Sequence, residues 1–233
     1  MLAYGQFCPV AKSAEILGDP WTLLIVRELL LGSCRFNLLQ RGLPRISPTV
    51  LNTRLKQLEN RGVISKRRLS GRRGHEYRLT ASGRELLPVI EALAIWGVRW
   101  ALDEVKSDDL DVSFLMFDMQ RRIDTAALPD GETVLGVQFT DLKKFRQWWL
   151  VCKSPEVDLC YEDPGKDVDC FISGTSRDMI DIWMGGIPLP QAVKSGRILV
   201  TGERHLCRTF PKWFSLALYA GTPRPTPDER LAG

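Results

Sequence analysis

Histidine is scarce, with two in 233 residues, and no two of the six cysteines are spaced Cys-x-x-Cys. Both shortages count against a metal centre or a disulfide framework, which draw on close-set ligands or a patterned set of cysteines. Cys8, Cys34, Cys152, Cys160, Cys170 and Cys207 are scattered, and small hydrophobes in reduced form are the expectation. No apolar run reaches the ~20 residues that cross a bilayer, and the longest, "LLIVRELLL", carries charges. The opening "MLAYGQFCPVAKSAE" lacks a basic segment followed by an apolar core, so no secretory leader is expected and the cytoplasm is the expected compartment. The second half has a single histidine, His205, and none of G-x-S-x-G, G-x-x-x-x-G-K-[ST] or G-x-G-x-x-G. Asp163, Asp167 and Asp169 surround a D-P-G turn and read as solvated turn formers. No catalytic residue, no metal and no cofactor is expected, and the chain is not expected to be an enzyme.

What is present is an uneven distribution of charge. Residues 1 to 105 hold 16 Lys/Arg against 9 Asp/Glu, and residues 106 to 233 hold 16 against 19. The excess concentrates in residues 35 to 84, with 13 Lys/Arg and 2 Asp/Glu. A basic block followed by an acidic half points to a polyanion as partner of the first half only. The break falls at "DEVKSDDLD", which separates an expected domain over 1–105 from a second over 106–220. The proline-rich end, 221–233, reads as a disordered tail.

In "RISPTVLNTRLKQLENRGVI", Ser47 suits an N-cap, Pro48 the first helical position, and Gly62 a left-handed stop. Leu51, Leu55 and Leu58 make one narrow apolar face. Thr49, Thr53, Lys56 and Asn60 are left on the opposite side, with Asn52 at its flank. Short polar side chains near the start of a helix are what base-edge reading in a major groove uses. "VISKRRLSGRRGHEYRLT" then reads as two strands, Val63 to Leu69 and His75 to Leu79, around the turn Ser70 to Gly74. Lys66, Arg67, Arg68, Arg72, Arg73 and Arg78 crowd this hairpin, a charge that phosphates would neutralise. A capped helix with a polar face followed by a basic hairpin predicts a winged helix-turn-helix, with "PWTLLIVRELLLGSCRFNLLQRGLP" supplying the two helices beneath it.

From Cys8 to Trp100, "CPVAKSAEILGDPWTLLIVRELLLGSCRFNLLQRGLPRISPTVLNTRLKQLENRGVISKR" and, after the hairpin, "YRLTASGRELLPVIEALAIWG" resemble the HxlR family of bacterial transcriptional regulators. The resemblance implies a homodimer on double-stranded DNA, reading an operator of two half-sites. The expected DNA-facing set is Arg35, Asn37, Arg45, Ser47, Thr49, Asn52, Thr53, Lys56, Lys66, Arg67, Arg68, Arg72, Arg73 and His75. The residues after the hairpin agree with a dimer on their own terms. Thr80 is expected to cap a long helix, kinked at Pro88, with Leu86, Ile90, Leu93, Gly97 and Trp100 on one stripe and Leu87, Ala94 and Ala101 on the next. Cys8 stands where some family members carry a redox-sensing thiol, just before a helix start at Pro9.

The second half reads as an α+β domain with a curved, mainly antiparallel sheet. "DVSFLMFDMQRRI" has helical spacing, and "ETVLGVQFT", "KFRQWWLVCK", "VDLCYED" and "VDCFISG" read as strands joined by turns such as Pro164-Gly165. "VDCFISGTSRDMIDIWMGGIPLPQAVKSGRILVTGERHLCRTFPKW", Val168 to Trp213, resembles the C-terminal part of sterol carrier protein type domains. That resemblance implies a tunnel for an apolar small molecule. Phe114, Phe117, Phe139, Trp149, Phe171, Ile180, Trp183, Met184 and Val193 are its expected lining. Within this stretch "IWMGGIPLPQAVKSGR" lacks the glycine spacing of a phosphate loop and is expected to wall one side of the cavity. The whole predicts a regulator modulated by an apolar ligand in its second domain. The alternative is a regulator sensing oxidants through Cys8, its second domain structural or protein-docking.

Overall fold

Two prolines set the rhythm of the first unit. Pro9 opens α1 (Pro9–Leu17) and Pro48 opens α4 (Pro48–Asn60), each at a position whose missing N–H costs no helical bond. The computed structural model describes residues 3–69, 74–102, 105–226 and 228–229, and the chain divides into two units, Met1–Ala94 and Ile95–Gly233. Between α1 and α4 lie α2 (Thr22–Leu30) and α3 (Phe36–Gly42); after them come β1 (Ile64–Arg68) and β2 (His75–Leu79), paired antiparallel. Ile25, Val26, Leu39, Leu51, Leu55, Leu58, Ile64 and Tyr77 form one buried cluster. The leucines are those whose spacing predicted the inner face of α4.

The expected long helix after the hairpin is two. Thr80 caps only the single turn α5 (Ala81–Arg84), accepting from Gly83 N at 3.3 Å. A Cβ on Gly83 would lie 2.2 Å from the Val63 carbonyl oxygen, so α5 rests directly on the start of the hairpin. Pro88 is the second residue of α6 (Leu87–Trp100), where it begins a helix instead of kinking one.

In the second unit, α7 (Val112–Arg122) precedes β3 (Glu132–Phe139), β4 (Gln147–Lys153), β5 (Glu156–Cys160) and β6 (Cys170–Gly174); α8 (Ser176–Trp183), α9 (Leu189–Lys194), β7 (Ile198–Gly202) and α10 (Arg204–Trp213) follow. Three of the four strand pairings are antiparallel, as expected, but the expected curved sheet is not what forms. The five strands lie in the order β5-β4-β3-β6-β7, a mixed sheet that is neither curled nor closed and ends in β5 and β7. Its centre is the parallel pair β3 and β6, with Leu135 opposite Cys170 and Val137 opposite Ile172. The physical reason lies in residues 161 to 169. Parallel strands need a crossover, and this segment returns the chain from the β5 edge to the far side of β3. Pro164-Gly165 belongs to that crossover, not to a hairpin.

One face of the sheet, with Leu135, Val137, Phe139, Trp148, Leu150, Cys170 and Ile172, joins a single buried cluster with α7, α8, α9 and α10. Residues α7 contributes include Met116 and Met119, α8 contributes Met179 and Trp183, α9 Leu189 and Ala192, α10 Phe210 and Trp213. Beyond α10, the Leu216 carbonyl accepts from Arg122 Nε at 2.6 Å and the Pro223 carbonyl from Arg99 Nη1 at 3.1 Å, which ties part of the proline-rich end down.

Candidate nucleic-acid interface

Helix α4 is built to show a polar face. Ser47 Oγ accepts from Val50 N at 3.3 Å, and Gly62 takes φ +70°, closing both ends as the residue types demand. With the leucines turned inward, Thr49, Asn52, Thr53, Lys56 and Asn60 are exposed. The Thr53 hydroxyl donates to the Thr49 carbonyl at 2.9 Å. Arg54, on the flank, pairs with Asp19 and donates to Gln57 Oε1 at 2.7 Å, which anchors α4 to the loop before α2.

The hairpin brings its cations alongside one another. Lys66, Arg67 and Arg68 lie opposite Tyr77, Glu76 and His75, and all three cations and His75 are exposed. Lys66 Nζ sits 5.8 Å from the centre of the Tyr77 ring. Glu76 is the one carboxylate in the two strands, and it is spent on Arg78, whose guanidinium holds its carboxyl below the usual carboxylate range. Arg35 bridges to Glu76, and Tyr77 N donates to the Cys34 carbonyl at 2.8 Å, so the residues entering α3 run beside β2. Burial, with Glu76 next to it, pushes the Cys34 thiol up. Arg35, Asn37, Arg45 and Ser47 are exposed on the α3 and α4 side. Arg72 and Arg73 lie outside the described residues.

A set of residues not singled out from sequence fixes α3 against α2. Glu28 is fully buried, its Oε2 accepting from Ser33 Oγ at 2.9 Å and its Oε1 from Arg27 Nη2 at 2.9 Å. Arg27 Nη2 also donates to the Gly42 carbonyl at 3.2 Å. The signal available was a lone carboxylate inside "LLIVRELLL"; a buried charge needs partners, and Ser33 and Gly42 supply the bond and the room. Cys8 is half-buried with a free thiol that makes no capping bond to α1.

Of the expected ligand lining, Phe139, Ile180, Trp183 and Met184 meet in one cluster, and the strand residues divide between two faces. Side chains alternate along a strand, and Phe139 belongs to the face that packs on the helices, whereas Gly136, Trp149 and Phe171 share the opposite face. Phe171 fills the space above Gly136, where a Cβ would lie 2.5 Å from its ring. Phe117 and Trp183 are buried, Phe114, Ile180 and Met184 half-buried, and Val193 is exposed at 41%. Trp183 Nε1 donates to Asp118 Oδ2 at 3.0 Å, and its ring meets Phe214 edge-on at 5.6 Å. The stretch 182 to 197 finishes α8, turns at Gly185 (φ +74°) under the Ala220 carbonyl, and returns through α9 to β7. Among the described residues no group of three His, Cys, Asp or Glu is placed to hold a metal ion, and no helix is long and apolar enough to cross a membrane.

Two family models match the chain: one described as HxlR-like helix-turn-helix over residues 16–105, and one described as SCP-2 sterol transfer family over residues 119–215. An uncharacterized HTH-type transcriptional regulator of Bacillus subtilis (strain 168), YvaP, is 37% identical over 97 residues, 41% of this chain and 90% of its own length. Another, sll1512 of Synechocystis, is 37% identical over 103 residues, 43% of this chain and 75% of its own. Among solved structures, the reduced form of the transcriptional regulator YodB from B. subtilis is 29% identical, with 42% of this chain and 98% of that one covered, at a TM-score of 0.36.

Proposed function

The chain belongs to the HxlR-like helix-turn-helix family, as an HTH-type transcriptional regulator with an SCP-2-like accessory domain, and on that premise we propose that it acts as a cytoplasmic homodimer on a two-half-site operator. The observation that carries this is the polar face of α4 beside a hairpin whose Lys66, Arg67 and Arg68 exceed the local carboxylates. Asn52 and Thr53 read base edges; Lys56 and the hairpin cations hold phosphates. Selection from a random duplex library, followed by titration at several salt concentrations, tests it. Asn52→Ala is expected to relax preference at one base position by about 1–3 kcal/mol. Lys66→Ala with Arg67→Ala is expected to weaken binding to all sequences alike and to lower the salt slope by about 2. Undiminished, equally salt-dependent binding by the double variant would remove the hairpin from the interface.

The dimer reading rests on Val89, Leu93 and Trp96, one row of α6 that is 42%, 46% and 59% exposed. Placing a charge there, Trp96→Glu, is expected to give a monomer in sedimentation velocity and to cost operator affinity on the order of 10²-fold, the loss of linked half-site binding. A variant that sediments as a dimer sinks this assignment.

For the signal, the reading favoured is oxidant sensing through Cys8, with the second unit a filled accessory body. Phe139, Trp213, Phe210, Met116 and Met119 occupy the centre of its core at 1% exposure or less, which supports a packed interior over a ligand chamber. Cys8 keeps a partly accessible thiol with no capping duty. Cys8→Ser is expected to abolish oxidant-dependent release of DNA while leaving affinity under reducing conditions unchanged; release that persists in Cys8→Ser assigns the signal elsewhere.

A further inference from the structure

We propose that Cys170 and Cys207 form a reversible disulfide within the second unit when a hydroperoxide reaches Cys207. Cys170 is the first residue of β6 and pairs with Gly202, the last of β7. At Gly202 (φ +134°) the two backbones nearly touch: a Cβ there would lie 2.8 Å from Cys170 Cα and 2.2 Å from the Asp169 oxygen. Glu203 N donates to that same Asp169 oxygen at 2.8 Å, so the chain leaves the sheet beside Cys170 and starts α10 at Arg204. Cys207 N donates to the Glu203 carbonyl at 3.0 Å, which sets Cys207 one turn up the helix, against the core cluster that contains Cys170. The two side chains are near enough that Cys207 perturbs the Cys170 thiol. Only glycine at 202 permits this approach.

The pair is asymmetric. Cys170 is fully buried, while Cys207 is partly exposed. Burial, and then the neighbouring Cys207, push the Cys170 thiol up to about 12, so Cys170 does not react first with a dissolved oxidant. The Cys207 sulfur attacks the peroxide; the O–O bond breaks, an alcohol (or water, from hydrogen peroxide) departs, and Cys207 becomes a sulfenic acid. The Cys170 sulfur then attacks that sulfur, the S–O bond breaks, the S–S bond forms, and water leaves with the Cys170 proton. Two thiols are oxidised and one peroxide is reduced. Cys152, also buried, has its thiol 3.8 Å from the Leu150 carbonyl and serves as the internal control.

The inference does not depend on Cys8, and the experiment uses the full chain carrying Cys8→Ser so that the two readings fail separately. The protein is treated with hydrogen peroxide, denatured in N-ethylmaleimide and mapped by mass spectrometry. A dithiothreitol-reversible peptide pair joining Cys170 to Cys207 is expected in most molecules, with Cys152 alkylated. Adding Cys207→Ser is expected to restore full alkylation of Cys170; adding Cys170→Ala is expected to leave Cys207 as a dimedone-reactive sulfenic acid. Overoxidation of Cys207 with Cys170 still alkylated in the Cys8→Ser chain, or cross-links that run only between chains, overturns the proposal without bearing on α4 or the hairpin.

Discussion

Gly42→Ala is expected to destabilise the first unit by about 3–5 kcal/mol, the range for breaking a buried charged pair. The added methyl would lie 2.1 Å from Glu28 Oε2 and 2.2 Å from its carboxyl carbon. On a surface, a glutamate would swing aside at little cost. This one is 0% exposed, and moving it breaks the bonds from Ser33 Oγ and Arg27 and leaves a charge without its partners. Urea unfolding measures the loss, and a double-variant cycle identifies its origin. Removing the carboxylate first, in Glu28→Ala, is expected to make Gly42→Ala nearly neutral. Additive losses in the cycle would refute the collision as the cause. Because the same contact fixes α3 against α2, Gly42→Ala is also expected to lower operator affinity in the folded fraction.

Trp213→Ala is expected to cost the second unit about 3–5 kcal/mol, the usual price of emptying a fully buried aromatic site. Trp213 is 0% exposed, meets Phe210 edge-on at 5.1 Å, and donates from Nε1 to the Leu206 carbonyl at 3.1 Å. The substitution removes the ring and leaves that carbonyl with one bond fewer. Calorimetry of the full chain is expected to show one transition moving down and the other staying in place. If both transitions moved together, the two units would be one cooperative body.

The first unit was legible because its signals are local. Ser47, Pro48 and Gly62 cap one helix within a 16-residue stretch, and the strands of the hairpin are neighbours in the chain, so residue type alone carries the geometry. What failed there failed at Pro88, where the choice between kinking and starting a helix depends on whether the preceding residues are already committed to α5. In the second unit the central pairing joins residues far apart, and a proline-glycine pair reads the same in a crossover as in a hairpin. The expected lining divides for a related reason. Assigning Phe139 and Trp149 to one lining treats aromatic content as position, whereas their strand register sends them to opposite faces. Glu28 showed in the sequence as a carboxylate in an apolar run, but its partners did not, because only the fold brings Ser33 and Gly42 to it.

The parallel pairing at the heart of the sheet has a consequence for synthesis. β3 can take β4 as soon as the next strand emerges, but its other edge waits for β6, whose Cys170 pairs with Leu135 about 35 residues later. At the translation rates of living cells, ~5–20 residues per second, that edge stands open for roughly 2–7 s on every nascent chain. The exposed row includes Leu135, Val137 and Phe139, all of them apolar. The first unit has by then been translated entire, so a finished DNA-binding body is tethered to an unfinished sheet, and the vulnerable interval for chaperone capture or for strand exchange with a neighbouring chain falls wholly within the making of the second unit.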